Sequence, residues 1–564
     1  MPRYLVSWTS PAERLFDIAI RFTAPVDTPR LLLPAWRPGR YLIQNYAANV
    51  REWSAGEMRV WKDGKSSWRV DARAGDEVSF AYRFYAGVLD AGSSFLDQDE
   101  AYFNGSNLFM LVEGLREDPH ELVVAVPGDW TIETQLPRTG AVLHARSYDH
   151  LIDSPVIAAA RMTRHSFVAL GARFHLVLRD DDGIDADGFV EPLRAIAETQ
   201  AGLFANELPF PEYRFLVHVR DRWHGVEHED SCSIIAPRTA LAGSTPGDEG
   251  FGRFLSICSH ELFHAWNAKR IVPANFTPYD YWQETPTRLL WVVEGLTSYY
   301  GDLTLARAGV WTEERYLQHL TGEIERLEAL PARHHLSLAQ ASLDGWLSDP
   351  AQMHDQSNAW FSFYNKGEVV SALLDLAIRR KTGGARSLDD VLAILWREYG
   401  QTGRGMEEDA MERAVSRVAD VGDFFARYVD GTEPLPYAEF FDAFGLDFAA
   451  TPRDAERPVL GARLAVRDGR LIIDSVLRGG AAMDAGLLPQ DELLAIGGMR
   501  VTDDDGVRSA LRAIRIGDRS ELLVARAGVV RTQTVEGRPD SRPAITLRPR
   551  GANDLRRGWL WREA

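Results

Sequence analysis

The stretch Ser259-His260-Glu261-Leu262-Phe263-His264-Ala265-Trp266 sets two imidazoles four positions apart, with a carboxylate beside the first. Positions four apart share one face of a helix, so His260 and His264 can both point at one metal ion. Glu261 then stands where it can take a proton from a water that the ion activates. The setting reads as a helix, because Phe251 to Trp266 is apolar at helical spacing and the first proline after it is Pro273. A pattern this short also arises by chance, and two His on a helix are often surface or core residues. A third ligand is therefore needed.

Glu294 fits that need, in Trp291-Val292-Val293-Glu294-Gly295-Leu296-Thr297-Ser298-Tyr299-Tyr300-Gly301-Asp302. A catalytic zinc takes three protein ligands and keeps a fourth place for water. Two His with a Glu from a second helix is one such set, so Zn2+ is the expected cofactor. An acid inside so apolar a segment is costly to bury unless it is paired or bound to metal. Asp302, about two turns further along the same face, could accept the free ring N–H of a ligand His.

The elements that must position these groups belong to a long polypeptide. It has 564 residues, too many for one core, so about three domains are expected. The formal charge of −18 argues against a general nucleic-acid binder. Cys232 and Cys258 cannot make a disulfide framework. No apolar signal core opens the sequence, and no run reaches the length of a transmembrane helix. The expectation is a cytoplasmic protein without membrane partners.

From Arg3 to about Asp180 the pattern is mostly β, with alternating segments such as Phe16–Phe22 and Val78–Tyr85 between Gly, Pro and Asp turns. Such a set suggests a sandwich or a large open sheet. Trp36-Arg37-Pro38-Gly39-Arg40-Tyr41 has turn chemistry inside an aromatic patch, and composition alone favours a packed loop. The period turns helical from Phe189 to about Asn206. Two strands follow, Tyr213–Val219 and a second from Gly225 to Ile235 with an acidic start at Glu227, Glu229 and Asp230. After Glu294 amphipathic helices with short connections indicate a bundle. The polar, proline-bounded Thr451–Pro458 reads as a domain boundary.

The segment from about Val459 to Pro539 looks like a PDZ domain, on the strength of Asp484-Ala485-Gly486-Leu487 and Asp491-Glu492-Leu493-Leu494-Ala495-Ile496-Gly497-Gly498. That resemblance implies a carboxylate-binding loop at Leu460, Gly461 and Ala462, which could take the C-termini of other polypeptides by strand addition. A packing module without a ligand is the competing reading.

His260–Arg270, Trp291–Asp302 and Leu33–Tyr41 together resemble the glycyl aminopeptidase family of gluzincin zinc metallopeptidases. The resemblance implies a multidomain α+β fold: a β-sandwich-like N-terminal domain over 1–180, a thermolysin-like catalytic domain with a helical bundle over 181–450, a PDZ domain over 457–540 and a tail over 541–564. It further implies zinc-dependent release of N-terminal residues, with Gly and Ala favoured, from peptides with free N-termini. Gly225-Val226-Glu227-His228 is similar to the gly-x-met-glu-asn motif of aminopeptidase N-like enzymes, with His228 in place of Asn. Gly225 and Glu227 would then bind substrate, Glu227 through the α-ammonium. Phe363-Tyr364-Asn365-Lys366-Gly367 is similar to their tyr-glu-lys-gly stretch, which implies that Tyr364 donates its O–H to the oxyanion. Two other readings stay open, a zinc endopeptidase to which the PDZ domain presents substrate tails and a catalytically silent peptide-binding protein.

Overall fold

A computed structural model describes residues 1–180, 183–353 and 355–561. The polypeptide divides into two compact units. The first holds Met1–Leu289, Thr297–Glu313 and Leu388–Val418; the second holds Leu290–Leu296, Glu314–Ser387 and Ala419–Ala564.

The first unit opens with a seven-stranded sheet. Its central strands Arg3–Ser7, Leu15–Thr23 and Glu77–Tyr85 run antiparallel, and His120–Val124 joins Arg3–Ser7 in parallel. Side chains alternate buried and exposed along Arg3–Ser7 and Leu15–Thr23, as expected of a sheet with one face on a core. Two four-stranded sheets complete this β region, and its core gathers Tyr4, Phe16, Trp68, Phe80, Tyr82 and Phe109.

The β pattern expected to about residue 180 is present as far as Arg179, but its last two strands belong to another sheet. Thr163–Ala169 and Ala172–Arg179 form one side of a five-stranded sheet with Glu212–Val219, Ser231–Ala236 and His224–Glu227. Seven of the eight residues of Ala172–Arg179 are buried, so this strand is covered on both faces. A strand signal gives a segment's type but not its partner, so the sequence pattern does not say which sheet receives these two strands. The antiparallel His224–Glu227 is the edge of this sheet. The helix Glu249–Phe263 packs against it, with Phe251 and Phe254 meeting Phe189 of the helix Asp187–Ala201 at ring separations of 4.7 and 5.0 Å.

In the second unit the 20-residue helix Phe363–Thr382 crosses the short π-helical turn Trp291–Gly295. The crossing is glycine on glycine: a Cβ on Gly295 would fall 2.5 Å from Cα of Gly367. Thr451–Pro458, expected to be a domain boundary, lies within a strand. Leu446–Pro458 pairs antiparallel with Pro539–Pro549, from Leu446 opposite Pro549 to Pro458 opposite Pro539. A polar composition suggests solvated coil, but a two-stranded ribbon open to water needs no apolar alternation. Between these strands a six-stranded sheet packs Ile473, Leu493, Ile496, Leu522 and Val524 against Val507 and Leu511 of the helix Asp504–Arg512. The tail folds back as the helix Asp554–Leu560 and buries Trp559 against Tyr316 and Phe444.

Candidate active site

In the first unit the helix Glu249–Phe263 carries His260 and Glu261, and its C-cap residue is His264. Tyr213 Oη donates to the carbonyl of Glu261 at 3.2 Å, and Gln200 Nε2 donates to the carbonyl of Ser259 at 2.7 Å. These bonds tie the helix to the sheet and to its neighbouring helix. The two imidazoles turn their Nε2 atoms toward each other at 3.1 Å. Nitrogens each 2.0–2.1 Å from one tetrahedral zinc stand roughly 3.3 Å apart, so the pair is spaced as two ligands of one ion. Nδ1 of His264 is 2.9 Å from the carbonyl of Asn267, and Nδ1 of His260 is 3.5 Å from Oγ of Ser298. A proton held on Nδ1 leaves the Nε2 lone pair for a metal.

Carboxylates converge on the same place. The ligand-capable atoms of Glu227, Glu261 and His264 all lie within 4.8 Å of one another. Gly225, expected to bind substrate, is where Glu261 finds its room: a Cβ there would sit 2.0 Å from Oε1 of Glu261. Asp302 is buried and its Oδ1 accepts from Oγ of Ser256 at 2.6 Å. The helix that carries it, Leu296–Arg307, approaches the helix Glu249–Phe263 at Gly301, whose Cβ would lie 3.2 Å from Cα of His260.

The surroundings of Glu227 were only partly legible in the sequence. Arg37-Pro38-Gly39-Arg40 forms a turn closed by Arg40 N–H donating to the Arg37 carbonyl at 3.3 Å, with Gly39 at φ +77°. A Cβ on Gly39 would fall 2.3 Å from Oε2 of Glu227, so this turn is a wall of the carboxylate's site and not a loop packed elsewhere. His228 is buried and its Nδ1 lies 3.2 Å from Oδ1 of Asp153. Lys269 donates to the same Asp153 at 2.8 Å. Burial alone would raise the Asp153 carboxyl, but the Lys269 ammonium and the His228 bond hold it well below the usual carboxylate range. Burial pushes the His228 imidazole down, against the opposing pull of Asp153. Asp153 and Lys269 escape a reading of the sequence alone. Lys269 stands within the stretch that carries the family resemblance, but Asp153 comes from a distant segment and leaves no local signal.

Glu294 and Tyr364 belong to the second unit. Glu294 is 1 % exposed within the turn Trp291–Gly295. Nothing in the residue pattern marks this turn as π-helical, a local widening frequent at functional sites. Tyr364 opens the helix Phe363–Thr382, its N–H donating to the cap residue Ser362 at 3.2 Å. Because Gly295 meets Gly367, and Phe363 O would lie 2.8 Å from a Gly295 Cβ, Glu294 and Tyr364 occupy neighbouring places within this unit. Asn365, where related stretches carry Glu, donates to the carbonyl and carboxylate of Glu323 at 3.0 and 2.7 Å.

At the PDZ-like sheet, Leu460 and Gly461 use their carbonyls to accept from Ala482 and Leu477 at 2.7 and 2.9 Å. Ala462 starts the strand Ala462–Arg467, which lies at the sheet edge and pairs with Arg470–Val476.

Residues 3–160 match the Peptidase M61 N-terminal domain, 253–370 match M61 glycyl aminopeptidase and 458–536 match a PDZ domain. A crystal structure of an aminopeptidase N family protein from Idiomarina loihiensis is similar over 99 % of this chain and 100 % of that one, at 28 % identity and TM-score 0.93. An M1 zinc metallopeptidase from Deinococcus radiodurans is 16 % identical over 77 % of this chain and 94 % of its own, with TM-score 0.48. No curated protein matches the sequence. Fold and family matches together define a metallopeptidase of the aminopeptidase type. Its N-terminal and peptidase regions match the two domain models of the M61 glycyl aminopeptidases, and a PDZ domain follows them. Among the described residues no helix is long and apolar enough to cross a membrane.

Proposed function

We propose that the protein is a zinc aminopeptidase that releases the first residue of peptides with free N-termini, Gly and Ala among them. The observation that carries this reading is the facing pair of Nε2 atoms at 3.1 Å, with a carboxylate at hand from Glu261 and another from Glu227. His260, His264 and Glu294 would hold the ion. Glu294 is assigned by the resemblance of Trp291–Asp302 to the family and by its burial, costly for an unpaired acid. Zinc, when bound, supplies a Lewis acid that polarises the scissile carbonyl and acidifies water.

The protein's own groups do the rest. Glu261 takes the proton of the attacking water and passes it to the leaving amine. Tyr364 donates its O–H to the oxyanion that develops at the carbonyl. Glu227 accepts the substrate's α-ammonium and so sets the point of cleavage one residue from the peptide's start. Asp302 supports the metal-binding helix from behind. Leu460, Gly461 and Ala462 offer an edge strand and loop to the C-terminal end of an extended peptide.

The test is a zinc assay on the purified protein, together with cleavage of matched peptides with free and acetylated N-termini. About one zinc per molecule is expected, with acetylated peptides cut at least roughly tenfold more slowly, since a partly desolvated ammonium–carboxylate pair is lost. Equal rates would replace this reading with that of an endopeptidase.

A further inference from the structure

Glu227 helps to line a chamber of about 180 Å³, with Arg37, Pro38, Arg146, Asp153, Lys269 and Tyr281 among its other walls. Its charges are largely matched. Asp149 takes two bonds from Arg116 at 2.8 Å, Glu229 pairs with Arg146, and Asp153 holds Lys269. Two are not. Among the described residues neither Glu227 nor Arg37 has an ion-pair partner within 4 Å.

Arg37 is the odder of the two. It is 4 % exposed, and its Nε has no hydrogen-bond partner. Its Nη1 donates to the carbonyl of Pro38 at 2.9 Å, and its guanidinium lies against Gly92, where a Cβ would fall 2.1 Å from Nη2. Asp90 adds some negative potential, but its Oδ1 is committed to the N–H of Gly92 at 2.9 Å and faces His224 at 3.9 Å. A buried guanidinium without a carboxylate is expensive to keep. Here the same turn that places Gly39 on Glu227 supplies it two residues earlier. The chamber is therefore lined by two buried groups of opposite charge with no ion-pair partner within 4 Å: Glu227, which lies beside Glu261 and His264 and feels Lys269 only at longer range, and Arg37, whose Nε makes no hydrogen bond.

We propose that this chamber is the pocket for the first residue's side chain, and that Arg37 binds the carboxylate of an acidic one. The inference rests on the aminopeptidase reading, in which Glu227 holds the α-ammonium. With that ammonium fixed, the side chain, which begins two bonds away, enters the chamber, and glutamate or aspartate would satisfy Arg37. Gly and Ala are accepted without reaching it. Glutamine, of the same shape as glutamate but neutral, leaves Arg37 unpaired.

The experiment compares kcat/KM for Ala-, Gln- and Glu-terminated chromogenic amides with the zinc-loaded full-length protein. Glu is expected to exceed Gln by at least roughly tenfold, as one desolvated charge pair allows. Arg37→Met should collapse the Glu-to-Gln ratio toward one. Gly92→Ala, which keeps the charge but pushes the guanidinium aside, should lower the ratio as well. Should Arg37→Met fold poorly, inhibition of Ala-amide hydrolysis by free glutamate and glutamine in the unaltered protein reads the same preference. A ratio at or below one, or a ratio that survives Arg37→Met, overturns the proposal. If the Ala amide is not cut at all, it is the aminopeptidase reading that falls; if it is cut and Glu gains nothing over Gln, only this inference does.

Discussion

A Cβ on Gly225 would lie 2.0 Å from Oε1 of Glu261. A side chain there would meet the Glu261 carboxylate, which would have to move for the edge strand His224–Glu227 to keep its place over the helix Glu249–Phe263. The contact also fixes where the Glu261 carboxylate stands. Gly225→Ala should therefore turn the base out of line while leaving His260 and His264 untouched. The expected result is a fall in kcat/KM of at least roughly tenfold, a change of about 1.4 kcal/mol in the barrier, with zinc content unchanged. Full activity would mean that the base does not act from this position.

Removing the base outright separates chemistry from metal binding. Glu261→Gln keeps the shape of the side chain but cannot take a proton. It should retain zinc and lose hydrolysis, whereas His264→Ala should lose both. Metal analysis beside initial rates decides the matter, and a fully active Glu261→Gln would refute the mechanism.

Tyr364 offers a test from the second unit. Its place depends on the Gly295–Gly367 crossing, which sets the first turn of Phe363–Thr382 beside the turn holding Glu294. A bond that forms mainly in the transition state shows itself in kcat more than in KM. Tyr364→Phe should lower kcat by roughly 10²–10³, the usual worth of one oxyanion donor. An unchanged kcat would move the role to another group.

The Asp153–Lys269 pair links the site to stability. The Asp153 carboxyl is held below its ordinary range, so it binds fewer protons folded than unfolded near its titration. Its contribution is complete above about pH 4, the ordinary carboxylate value, and is lost as pH falls through the lower folded value. Asp153→Asn leaves the buried Lys269 without its nearest anion, and breaking such a pair costs about 3–5 kcal/mol. Melting temperatures of the two proteins should differ most above about pH 5 and converge below about pH 4. A gap that stays constant down to about pH 3 would show that the pair's charge is not what stabilises this corner.

How much of this the sequence disclosed follows from the range of each signal. His260, Glu261 and His264 are set by one helical turn, and helix periodicity is local, so they were legible at once. The PDZ segment was legible from its glycines and strand pattern. Strand partnership was not, since Thr163–Ala169 and Ala172–Arg179 look alike whichever sheet receives them. The same holds for Gly39 and Glu227, or Asp153 and Lys269, whose contacts join segments far apart in sequence. The C-terminal tail was unreadable because Trp559 has meaning only against Tyr316 and Phe444.

That tail leads to a prediction about how the PDZ domain can be removed. Ending the protein after Pro458 deletes more than the PDZ sheet. It takes away Pro539–Pro549, the pairing partner of Leu446–Pro458, and the helix Asp554–Leu560 with its buried Trp559. It also removes the Gly558 carbonyl, which accepts from Nη1 of Arg379 at 2.7 Å, and leaves buried Arg379 with less to bond. Losing a fully buried Trp alone costs about 3–5 kcal/mol, a large share of a typical domain's stability. The truncated protein should therefore be insoluble or melt far lower. Excision is different, because Pro458 and Pro539 stand opposite each other in the ribbon. Replacing 459–538 by a short Gly-Ser turn should keep ribbon, helix and Trp559 in place. The excised protein is expected to fold and to hydrolyse dipeptide-sized substrates at close to the full-length rate. Thermal melts of the two variants, with rates on a short amide, check this. An excised variant as unstable as the truncated one would show that the PDZ sheet itself supports the helices of the second unit.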